Sequence, residues 1–114
     1  MTTLIDKIFI EEEAKLTLSN TIDINSYVSI FRQLYNSALF SNWINQKEKA
    51  IRYSARSVHV YLHIIKHHNN YKSIQSNVDA SLHENTKQLI DLLDRLKKYA
   101  NERLSKNLPI DEPK

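Results

Sequence analysis

The chain contains no glycine and no cysteine, and its two prolines both fall in the last six residues. Tight hairpin turns and phosphate-cradling loops rely on glycine for positive φ, so their usual forms are excluded. An all-α chain is the natural consequence. The lack of cysteine rules out disulfides and a thiol nucleophile, and fits a reducing, cytoplasmic compartment. No apolar run approaches the ~20 residues of a membrane span, and no signal-peptide pattern opens the chain. At 114 residues, one domain with a modest core is expected. No motif implies a cofactor.

What is present is unevenly distributed. The net charge of +3 hides a gradient: residues 1–25 carry a net of −3 and residues 45–72 a net of +5. A basic middle beside an acidic arm implies either docking of one on the other or an anionic partner.

The basic middle coincides with the most helical stretch, Glu48 to His68, which reads as one continuous helix. At ~100° per residue, Ile44, Ile51, Ala55, Val58, Leu62 and Ile65 share one side. Tyr53, Val60, Tyr61 and Ile64 widen that surface, so neighbours on two sides are expected. The remainder is a basic stripe of Lys49, Arg52, Arg56, His59, His63, Lys66 and His67.

The bland reading of this stripe is a solvated face that keeps an apolar helix in water. His59, His63 and His67 have zinc-compatible spacing, but no carboxylate lies nearby in sequence to complete a site, so no metal is expected. Phosphate contacts would suit the charge, yet no recognition-helix turn or stacking platform accompanies it, and no specific nucleic acid is implied. Arg56 and His63 fit the loose arginine–histidine spacing of HEPN ribonucleases, which Arg52 and His59 satisfy equally. No nucleophile, base and oxyanion donor are placed together, so the chain reads as non-catalytic.

Around this helix the rest of the chain falls into place. Residues 3–16 fit a short amphipathic helix with Leu4, Ile5, Ile8 and Phe9 inward, although the IFIEEE portion fits an extended segment equally well, and residues 17–25 make a linker rich in turn formers. Asn25 or Ser26 caps a second helix through Trp43, with Tyr27, Phe31, Leu34 and Ala38 at helical spacing. Asn42 to Gln46 makes the corner. After His68, Asn69 and Asn70 substitute for glycine at a helix end. Asp79 or Ser81 caps a last helix, with Glu84 completing a capping box. Leu82, Thr86, Leu89, Leu93, Leu96 and Ala100 form its heptad seam, flanked by Ile90, Leu92 and Tyr99. The organisation expected is a helical arm over 1–20, a bundle over 25–106 and a disordered tail over 107–114.

Glu48, Ala50, Ile51, Val58, Tyr61, Leu62, His63, Ile64, Ile65 and Lys66 resemble the second helix of MIT domains (microtubule interacting and trafficking). Leu93, Asp94 and Arg95 resemble the third helix of that family. The runs INSYVSIFRQLYNSA and HHNNYKSIQ are similar to one branch of it: the N-terminal domains of AMSH-type deubiquitinases and the related dimerisation domain of a ubiquitin-specific protease. Ser54 stands where the family tends to have tyrosine, and Arg56–Ser57 where it has a lysine–tyrosine pair.

The resemblance implies an antiparallel three-helix bundle with an extra N-terminal helix. It also implies a docking domain that links a deubiquitinase or endosomal-sorting factor to the C-terminal motifs of ESCRT-III subunits. Such a domain would be endosome-associated and would reach the membrane only through partners. Ile64, His68, Ile90, Asp94 and Lys97 would line the peptide-binding groove, Asp94 receiving a basic residue. The alternatives are a HEPN-like ribonuclease or antitoxin-type bundle, and a structural dimerisation module built on the N-terminal segment.

Overall fold

The computed structural model describes residues 4–111. It is all-α: α1 (Leu4–Lys15), α2 (Ile24–Trp43), α3 (Lys47–His59) running into a π-helical turn (Val60–Ile65), a 3-10 turn (Tyr71–Ser73) and α4 (Ser76–Ser105). At 1.5 Å per residue the 30 residues of α4 reach ~45 Å, which accounts for the long dimension of 48 Å. No helix among the described residues is long and apolar enough to cross a membrane.

The central helix touches α1, α2 and α4, and the core follows from that arrangement. One cluster joins Tyr27, Phe31 and Leu34 of α2 to Val60, Tyr61, Ile64 and Ile65 of the π-helical turn and to Leu82 and Leu89 of α4. A second joins Ile8 of α1 to Ala50 and Ile51 of α3, Leu92, Leu93 and Leu96 of α4, and Ile110. Every residue of the expected heptad seam is buried. Ile8 is buried as expected and Phe9 half-buried, while the side chains of Leu4 and Ile5 lie outside the described residues. Ser54 and Ser57 are also fully buried, and the Ser57 hydroxyl donates to the Phe31 carbonyl at 3.3 Å. Small side chains at these positions let the backbones of α2 and α3 approach.

Several helix ends differ from the sequence expectation. α2 starts earlier, capped by Asp23, whose Oδ1 accepts from the Asn25 amide at 2.8 Å; a carboxylate caps as well as the amide or hydroxyl next to it. Asparagine does replace glycine at helix ends, but at Asn45 (φ 63°) and Asn107 (φ 58°), not at Asn69 or Asn70. Asn70 has φ −97° and leads into the 3-10 turn. Asn tolerates the left-handed region better than other non-glycine residues.

α4 begins at Ser76, ahead of the expected caps. Asp79 sits in its first turn and accepts from the Tyr61 and Tyr71 hydroxyls, each at 2.9 Å. Burial first, and then the bond to Asp79, push both phenols above their ordinary range. Asp79 therefore pins the start of α4 to the central helix.

Residues 107–111 are not the disordered tail expected. Ile110 is buried in the second cluster, and the Asp111 carboxylate accepts from the amides of Lys47 (2.5 Å) and Glu48 (3.1 Å). Gln46 makes no side-chain cap bond, so Asp111 caps α3 from the far end of the chain. Glu112 to Lys114 lie outside the described residues.

Candidate peptide-docking groove

The polar face of α3 is largely covered by α1. Glu12 is fully buried and collects three cations. Arg56 Nε donates to its Oε2 at 2.7 Å, and Arg52 Nη1 and Lys15 Nζ approach its Oε1 at 3.3 and 3.1 Å. Arg52 also meets Glu11 at 3.0 Å and Glu48 at 3.6 Å. Burial pushes the Glu12 carboxyl up, but the hydrogen bonds from Arg56, Lys15 and Arg52 outweigh it and hold the pKa below its ordinary 4.5. Bonding to Glu11 is the largest of the effects that raise Arg52.

The charge gradient thus has its counterpart inside the molecule: the acidic arm docks on the basic middle. Lys49, His63, Lys66 and His67 stay exposed.

Beside this ion cluster, α3 and α4 diverge around a groove of about 190 Å³, with α1 closing one side. Ala55 and Leu93 are buried at its floor, Val58 and Phe9 are half-buried, and Ile90 stands exposed at the edge. The polar lining comes from His59, His63, Glu13, Asp94 and Lys97. On α4 the positions Ile90, Leu93, Asp94 and Lys97 follow i, i+3, i+4, i+7, a face adjacent to the heptad seam. Lys97 Nζ lies 4.4 Å from the centre of the Phe9 ring, a cation–π contact that ties α1 to α4. The exposed Asp94 carboxylate has no partner among the described residues.

Three of the five residues expected in the groove, Ile90, Asp94 and Lys97, are therefore brought together. Ile64 and His68 are not. Ile64 lies in the first core cluster with Val60, Tyr61 and Ile65, all within the π-helical turn that is marked by the 3.1 Å bond from Lys66 N to Tyr61 O. His68 is buried and its Nε2 lies 2.8 Å from the Ile22 carbonyl, so it anchors the α1–α2 linker. Phe9 and Glu13 also line the groove, which helical periodicity does not indicate. Their contribution depends on where the arm lies, and charge complementarity with Arg52 and Arg56 was the available signal.

The rings of His59 and His63 lie 5.2 Å apart, tilted by 32°. His59 Nε2 is 3.0 Å from the Leu16 carbonyl; since a carbonyl only accepts, Nε2 carries the proton. Among the described residues no group of three His, Asp or Glu is placed to hold a metal ion. A groove of about 190 Å³ is below the ~300–1,000 Å³ of sites that enclose small molecules. It suits one or two side chains of a larger ligand.

Comparison with protein-family models, curated proteins and solved structures returned no match.

Proposed function

We propose that this chain is a non-catalytic docking domain that receives a short amphipathic peptide between α3 and α4. The observation that carries the reading is the convergence of an apolar floor (Ala55, Leu93) with an unpartnered carboxylate (Asp94) at its edge. A helical peptide would seat one or two apolar side chains on the floor and pair a basic residue with Asp94, which fixes its register. Lys97, one turn from Asp94 on the same face, offers a cation to an acidic residue on the same peptide.

The MIT-like pattern of α3 and α4 names the partner class: C-terminal motifs of ESCRT-III subunits, in an endosome-associated deubiquitinase or sorting factor. The ribonuclease alternative finds less support, since its arginine, Arg56, is committed to Glu12.

The test is an NMR titration of the labelled chain with a panel of ESCRT-III C-terminal peptides. Saturable shifts at Ile90, Asp94 and Lys97, abolished by Asp94→Ala, are expected. Absence of shifts with every peptide refutes the proposal.

A further inference from the structure

At the corner between α2 and α3 the chain exposes an apolar patch that the groove does not use. Leu39, Phe40, Trp43 and Ile44 are all large and exposed; Phe40 is 58% and Trp43 79% accessible. They lie at i, i+1, i+4, i+5 over the end of α2 and its C-cap, Ile44, so they share one face. The Phe40 and Trp43 rings are 6.4 Å apart. Folding gains nothing from leaving two neighbouring aromatic rings in water, and a contiguous patch of this kind marks an interaction surface.

The charges around the patch restrict what covers it. Residues 24–47 contain no Asp or Glu. Lys49 shares a shallow cavity with Phe40 and has no carboxylate partner among the described residues. Lys47, at the start of α3, bonds through Nζ to the carbonyl and side-chain oxygens of Asn42, which leaves its charge uncompensated by that contact. Glu48 pairs with Arg52, while the Asp111 carboxylate on the amides that start α3 lies beside Lys47, so the unbalanced positive charge of the rim rests chiefly on Lys49. In a symmetric dimer formed through this patch, each cationic rim would face its own copy, a repulsive arrangement.

We infer that the Phe40–Trp43 corner inserts into the headgroup layer of an anionic lipid bilayer, with Lys47 and Lys49 at the phosphate level. Tryptophan and phenylalanine beside lysine are the side chains that settle at such an interface. Each lysine near an anionic surface adds to the attraction. This contact is direct, whereas the MIT resemblance implies membrane association through partners. It is independent of the groove, so failure of either proposal leaves the other standing.

Trp43 is the single tryptophan and reports on its own insertion. The full chain is titrated with phosphatidylcholine vesicles with and without about 30% phosphatidylserine, following Trp43 emission and co-sedimentation. The expected result is a blue shift and sedimentation with the anionic vesicles only, both reversed by high salt. Lys49→Glu should weaken partition by about tenfold, since it reverses one charge at the surface. Phe40→Ala should abolish the shift while leaving the circular dichroism unchanged. No shift with anionic vesicles overturns the inference and leaves an acid-rimmed protein as the occupant. A blue shift that grows with protein concentration in the absence of vesicles overturns it in favour of a second copy of the chain.

Discussion

Replacing Glu12 with glutamine tests whether one buried carboxylate holds α1 on the bundle. The substitution keeps the shape and removes the charge that Arg56, Arg52 and Lys15 share. Arg52 keeps Glu11 and Glu48. Arg56, whose side chain is only 22% exposed, loses its carboxylate partner. Breaking a fully buried pair costs about 3–5 kcal/mol; with the cations partly in water the figure falls to about 2 kcal/mol. That corresponds to a drop of roughly 10 °C in melting temperature for a chain of this size.

Since α1 has 12 residues, too few to be stable alone in water, its amides should lose hydrogen-exchange protection before the rest. The pH dependence has a definite sign. The folded-state pKa of Glu12 lies below its ordinary 4.5, so the contribution is complete above about pH 4.5 and is lost as pH falls through the folded value. The measurement is urea denaturation of wild type and Glu12→Gln at pH 7 and at about pH 3, where the difference between them should shrink. A loss under about 0.5 kcal/mol at pH 7, the range of ordinary surface changes, with unchanged exchange across α1, refutes the reasoning.

The remaining predictions concern helix ends and the groove. Asp111→Ala removes the cap of α3 and should cost about 1 kcal/mol by chemical denaturation, although position 111 is 64 residues from Lys47 in sequence. Asn45→Val forces a β-branched residue to positive φ and should destabilise by about 1–2 kcal/mol, whereas Asn45→Gly should be neutral or better; thermal melts distinguish them. Tyr61→Phe deletes one of the two hydroxyls on Asp79 and should cost about 1 kcal/mol, read from the same denaturation curves. Asp94→Ala should weaken peptide binding by calorimetry while leaving the melting temperature within about 2 °C, because an exposed, unpaired carboxylate contributes little to folding.

The sequence by itself determined the helical class, the three long helices and the heptad seam. Missing glycine closed off hairpins, and the 3–4 spacing of Tyr27, Phe31, Leu34 and of Leu82, Leu89, Leu93 and Leu96 admits no other local structure. Its opposite charges left two readings, docking of the arm on the middle or an anionic partner, and the Glu12 contacts with Arg52 and Arg56 realise the first. Helix starts were less legible. Local chemistry offered several acceptable caps: α2 took the neighbouring Asp23, and the start of α4 is held by bonds from Tyr61 and Tyr71 to Asp79.

Three features came from tertiary structure alone. The π-helical turn at Val60–Ile65 is one, a change of helix type that the side-chain pattern does not announce. Asp111 caps α3 because the end of α4 and the start of α3 lie together in space. The groove takes Phe9 and Glu13 because Glu12 anchors α1 beside it. In the last two cases the deciding interaction joins residues far apart in the chain, and local periodicity carries no information about which distant partner will arrive.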